Sequence, residues 1–151
     1  MPPDISEVDD ALVTRLLGDS ELAALLPDGV YFGLAPNGVR RFCIVSLVQS
    51  LRQPTFDGGI EEILYAVKAV AQVSGGPDPV KAAAARIDAL LDNQSLTVTG
   101  FDFVAMYRDD TEGRIRYTEI DDMDKSIRWQ HRGGRYRVQV TLPAPALRET
   151  S

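Results

Sequence analysis

Glu61-Glu-Ile-Leu-Tyr-Ala-Val-Lys-Ala-Val-Ala-Gln-Val73, followed after Ser74-Gly-Gly-Pro77 by Asp78-Pro-Val-Lys-Ala-Ala-Ala-Ala-Arg-Ile-Asp-Ala-Leu-Leu-Asp-Asn93, decides the fold. In the first run Ile63, Tyr65, Val67, Ala69, Ala71 and Val73 recur at period two, while Glu62, Lys68 and Gln72 point the other way. That alternation predicts a half-buried strand. Ser74 to Pro77 breaks it as a turn. Asp78 then offers an N-cap oxygen, with a proline behind it at the first helical position, where the missing N–H costs nothing. Val80, Ala83, Ala84, Ile87, Leu90 and Leu91 recur at three and four residues, and Lys81, Arg86, Asp88 and Asp92 lie mostly outside that stripe. Asn93 is a left-handed stop. A strand, a turn and one amphipathic helix laid on a sheet follow from this stretch alone.

Upstream, Ser6 with Asp9 three residues on reads as a capping box, opening a helix that carries Ala11, Leu12, Val13, Leu16 and Leu17 and closes at Gly18. Asp19-Ser20 restarts a short helix, ended by Pro27-Asp28-Gly29. Val30-Tyr31-Phe32 and Arg41 to Leu51 read as strands on either side of the Pro36-Asn37-Gly38 turn. The second is almost continuously apolar from Phe42 to Val48, as in a strand covered on both faces at least in its first half, and Gln49 onward is exposed. Arg52 to Gly59 reads as a projecting loop. Leu96 to Tyr107 is rich in β-branched and aromatic residues, so a long bent strand with a bulge at Gly100 is expected. Asp109 to Asp124 holds seven acidic residues against two arginines and reads as irregular or edge structure.

The last segment reads as a hairpin. Ser126 to Arg132 and Arg135 to Leu142 flank Gly133-Gly134, a two-residue turn that would need positive φ. Pairing Arg132 with Arg135 sets Trp129, His131, Tyr136 and Val138 on an apolar face and Arg128, Arg132, Arg135 and Arg137 on the other. Four crowded arginines require an anion nearby. Three sources are open: the acidic segment of the same chain, the carboxylates of a neighbouring subunit, or nucleic-acid phosphate.

The 151 residues are the length of one domain, expected over 1–151 with mobile ends at about 1–4 and 144–151. A hydrophobic fraction of 44% and a charged fraction of 25% are those of a soluble globular chain. No apolar run approaches a membrane span, and the start shows neither a basic region nor an apolar signal core, so a cytoplasmic protein without membrane contact is expected. The formal net charge of -6 argues against general nucleic-acid binding. Chemistry is scarce: one cysteine, Cys43, lies in an apolar strand, and one histidine, His131, lies beside the expected turn, so neither is expected to be catalytic. Glu119, Asp121, Asp122 and Asp124 lack the spacing of a calcium loop, and the glycine pairs lack phosphate-binding contexts. No catalytic, metal or cofactor site is expected.

Ala11-Leu-Val-Thr-Arg-Leu-Leu17 with Glu21-Leu-Ala-Ala-Leu-Leu26, then Val30-Tyr31, the strand-turn-helix around Asp78 to Leu91, and the Gln130-His-Arg-Gly-Gly-Arg-Tyr136 ending resemble the tail-terminator (tail-completion) proteins of long-tailed bacteriophages and related prophage or gene-transfer particles. The resemblance spans residues 8 to 142. It implies an α+β subunit, with helices on one face of a mixed or mainly antiparallel sheet, that assembles into a homohexameric ring. Such a ring caps the tail tube, ends its polymerisation and joins tail to head, without enzyme chemistry. The implied partners are other copies of the chain, the tail-tube protein and a head-completion or connector protein, with DNA passing through unrecognised. The implied place is the virion tail, assembled in the host cytoplasm. No functional residue transfers by motif, so the expected interface comes from charge: Arg128, Arg132, Arg135 and Arg137 with Glu119, Asp121, Asp122 and Asp124. The rival reading is a small α+β enzyme or ligand-binding domain with a pocket between helix and sheet.

Overall fold

The computed structural model describes residues 4–53, 59–73 and 78–143. Three helices, α1 (Ser6–Leu17), α2 (Ser20–Leu25) and α3 (Pro79–Leu91), cover one face of a six-stranded mixed sheet. Its strands are β1 (Val30–Phe32), β2 (Arg41–Gln53), β3 (Ile60–Gln72), β4 (Asp102–Arg108), β5 (Ile115–Ile120) and β6 (Arg128–Thr141). The spatial order is β1-β2-β3-β6-β4, and β5 also pairs with β6. Among the described residues only the β1–β2 pair is parallel, and the fold is α+β.

β3 and α3 match their sequence pattern. Ile63, Tyr65, Val67, Ala69 and Ala71 are buried against the helices. Asp78 accepts the Val80 N–H at 2.9 Å, and Asn93 takes φ 56° after the last turn. The expected capping box at Ser6 does not form: the N-cap of α1 is Ile5, which has no side-chain cap, Asp4 Oδ1 accepts the Ser6 N–H from outside the cap, and Asp9 reaches across to the Tyr65 hydroxyl at 2.5 Å. Val8, Leu12 and Leu16 bury its inner face, each contributing about 1.5–3 kcal/mol.

At the centre Tyr65 and Tyr136 are direct cross-strand partners on β3 and β6, both buried. Buried tyrosines need hydroxyl partners, and each finds a helix carboxylate: Asp9 of α1 for Tyr65 and Asp88 of α3 for Tyr136. Burial pushes both phenols well above their ordinary range and raises Asp9. The two tethers fix both helices on one point of the sheet.

Three local expectations are corrected. The segment from Leu96 is a strand only from Asp102. Gly100 takes φ 82° in a turn, and the bulge falls at Val104. β2 continues to Gln53, past the expected start of the loop. Most important, the Gly133-Gly134 hairpin does not form: β6 runs unbroken through both glycines and pairs with β3 in constant register from Ile60↔Thr141 to Gln72↔Trp129. Gly133 sits where a Cβ would run into the Val67 carbonyl and come within 2.6 Å of Lys68 Cα. The glycine answers a close backbone approach rather than a turn. The expected turn at Ser74 to Pro77, most of the loop between β2 and β3, and both expected mobile ends except Asp4 lie outside the described residues.

Candidate interaction surface

Because β6 is one strand, its side chains alternate differently from a hairpin's. Arg128, Gln130 and Arg132 share the helix-side face with Tyr136 and Val138, whereas His131, Arg135 and Arg137 face the open side. The four expected arginines therefore split two and two, and His131 does not pair with Tyr136. It pairs with Val70 of β3 and Tyr117 of β5 instead.

The arginines also differ in their partners. Arg137 donates to Asp109 at 2.7 Å and to Glu62 at 3.0 Å, and all three side chains are less than 20% exposed. Hydrogen bonds from Thr111, and then from Arg137, hold the Asp109 carboxyl down at about 2. Arg135 reaches the Gly113 carbonyl at 3.2 Å, with Glu112 at 4.0 Å. Arg128 has only the Lys125 carbonyl at 3.5 Å, and Arg132 has no acid within 4 Å among the described residues.

Among the described residues none of the four expected acids meets an arginine. Glu119 accepts from His131 Nε2 at 2.9 Å, and the Tyr117 ring stacks on the imidazole at 4.3 Å. Burial lowers the His131 pKa, with Lys68 adding to the effect against Glu119. Asp121 accepts the Trp129 indole N–H and the backbone N–H groups of Met123 and Asp124, each at 3.0 Å, and Asp124 accepts from Ser126. These two acids hold the β5–β6 turn. Asp122 has no polar partner among the described residues, and Met123 beside it is 94% exposed. Cys43 is fully buried on the helix side of the sheet, its thiol pushed up to about 12 by burial, and His131 faces the opposite side. The two cannot act on one substrate.

Sequence reasoning missed a cleft of about 480 Å³ between α3 and the start of β5. Lys81, Arg114, Arg116 and Arg132 line it, and none has an ion pair or hydrogen-bond partner of its side chain among the described residues. Its wall is small and apolar at Ala84, Ala85 and Ile115. The carboxylate in it, Asp88, is already taken by Arg108 at 2.7 Å and by the Tyr136 hydroxyl at 2.9 Å. The rival reading's pocket would lie here, yet the lining converges cations, not an acid–base pair. The readable signal was Arg114 and Arg116 at period two inside an otherwise acidic segment. Among the described residues no group of His, Cys, Asp and Glu could hold a metal, and no helix is long and apolar enough to cross a membrane.

The family model of tail completion protein gp17 matches residues 10–121, ending just before β6. Among solved structures, a chain titled as belonging to the virion of a native gene transfer agent particle superposes with a TM-score of 0.62 at 20% identity, covering 87% of this chain and 94% of that one. A second solved chain gives a TM-score of 0.53 at 15% identity, covering 89% and 95%. At these identities both show a shared fold. No curated protein matches the sequence. With well over half of its length matched, the chain belongs to the tail completion protein gp17 family, structural proteins of the phage tail.

Proposed function

We propose that the chain is a tail terminator: a single-domain subunit whose copies close into a ring, hexameric by the family resemblance, that caps the tail tube, ends its polymerisation and presents the surface joining tail to head. Membership of the tail completion family carries this reading, and the fold likeness to a gene transfer agent virion chain supports it. The partners are other copies of the chain, the tail-tube protein and a head-completion or connector protein, and DNA passes through the ring without sequence-specific contacts. Assembly takes place in the host cytoplasm and the chain has no catalytic role, in keeping with the separation of Cys43 from His131 across the sheet.

The interface draws on the charges at the β5–β6 end. Arg128 and Arg132 are available to a partner, while Arg135 and Arg137 are held within the chain. On the acidic side Asp122 is available, with Glu119, Asp121 and Asp124 shaping the turn around it. Electron microscopy of particles made without this chain tests the terminator role. Tubes of uncontrolled length, unattached to heads, are expected. Tails of normal length joined to heads would overturn it.

A further inference from the structure

Five cations line one cleft of a chain whose formal net charge is -6, and only Arg108 among them has an acid partner among the described residues. Arg116 and Arg132 are direct cross-strand partners, a placement in which like charges repel, and Arg114 and Lys81 stand beside them. Acids are plentiful in the sequence, yet none of the described ones enters the cleft except Asp88, which is already engaged. The acidic turn of the same hairpin cannot reach it. β5 carries the chain away from the cleft, and the pairing of Ile120 with Arg128 fixes the turn at the far end. At about 3.3 Å per residue, Asp122 lies roughly 20 Å beyond Arg116.

That turn has the complementary chemistry. Among the described residues Asp122 is unpartnered, Met123 is 94% exposed and Ile120 is 54% exposed. Asp121 and Asp124 brace the turn by accepting hydrogen bonds from its backbone, which lowers the ordering needed on docking. Carboxylates flanking a protruding thioether match a cleft with a cationic rim and an apolar wall at Ala84, Ala85 and Ile115. Nucleic-acid phosphate would use the rim but leave the methionine unexplained.

We infer that the cleft lined by Lys81, Arg114, Arg116 and Arg132 is the socket for the 121–124 turn of a neighbouring copy of this chain. The inference rests on the ring reading and deepens it. Socket and plug sit at opposite ends of one hairpin, so each copy offers one and fills another. Such a head-to-tail contact generates closed rings or filaments, not two-fold dimers.

Paired cysteines test this. A chain carrying both Arg116→Cys and Met123→Cys cannot bridge itself, because the two sites are far beyond the roughly 7 Å Cα separation a disulfide tolerates. Cys43 is buried and stays out of the reaction. Oxidation of the assembled protein, in solution or on tails, is expected to give a ladder of covalent multimers ending at the ring size, while either single variant stays at monomer size. Asp122→Arg is expected to weaken self-association at least tenfold, and adding Arg116→Glu with Arg132→Glu should restore it. Rings without cross-links would overturn the socket and leave the ring reading standing. Absence of any assembly by the unaltered chain, in solution and on tails, would overturn both. If the double glutamate variant assembled normally but lost salt-sensitive retention of a single-stranded oligonucleotide, the cleft would be a nucleic-acid site and the inference wrong.

Discussion

The two halves of β6 are one strand with two environments. From Tyr136 to Thr141 it lies between β3 and β4, with Tyr136, Val138 and Val140 buried and Arg137 clamped by Asp109 and Glu62. From Arg128 to Gly133 it lies between β3 and β5, with Arg128 and Arg132 unpaired by acids among the described residues and Ile120 and Met123 exposed close by. The same residue type, arginine, is a fold element in one half and a free contact group in the other. What separates them is whether acids from distant strands arrive. A charge satisfied within the chain contributes to stability and is silent in recognition, whereas one left open contributes little to the monomer and is available to a neighbour.

The largest effect should come at the boundary between the halves. Gly133→Ala would place a methyl group against the β3 backbone and is expected to cost about 3 kcal/mol or more. At Gly134 the same change meets only ordinary contacts at 3.5 Å and should cost under about 1 kcal/mol. Urea unfolding of both variants checks this. Equal losses would favour a glycine turn over a continuous strand. Next, Tyr136→Phe removes the bond to Asp88 and should cost about 1.5–3 kcal/mol, read as a lowered thermal midpoint.

Acid should act through the clamped charges. The Arg86 guanidinium holds Asp19 at about 2, and Thr111 with Arg137 holds Asp109 at about 2, both below the usual 3.8. A depressed carboxyl contributes stability above its unfolded value and loses it as pH falls through the folded one. Stability should therefore decline between about pH 4 and pH 2, and Asp19→Asn or Asp109→Asn should flatten that decline in pH-dependent urea midpoints. The smallest effect belongs to the open half: Asp122→Arg should leave monomer stability within about 0.5 kcal/mol. A larger loss would mean that the acidic turn supports the fold.

Legibility in the sequence followed locality. β3 and α3 could be read because period two and period 3.6 are written in consecutive residues, and the Asp78 cap and the Asn93 stop lie within a few positions of the helix ends. Gly133-Gly134 was misread because glycine required by the approach of another strand looks, locally, like glycine required by positive φ. Only the register of β3 against β6 distinguishes them. With the strand continuous, the face carrying four arginines divided. Arg137 took one partner, Asp109, from the expected acidic segment of its own chain and the other, Glu62, from β3, while the acids at 119–124 went elsewhere. Beyond the Arg114 and Arg116 pair, the cleft was illegible for the same reason, since Lys81 meets Arg114, Arg116 and Arg132 only through the packing of α3 beside β6. The family, in contrast, was recognisable from the order of elements and the quoted runs.

The division of β6 is tested most directly by the urea midpoints of two charge reversals in the monomer. Arg137→Glu leaves Asp109 and Glu62 facing a third carboxylate and should cost about 2–4 kcal/mol, as expected for breaking a largely buried pair. Arg132→Glu, beside Arg116 and without an acid of its own, should change stability by no more than about 0.5 kcal/mol. Equal losses in the two variants, or a greater loss for Arg132→Glu, would contradict the account.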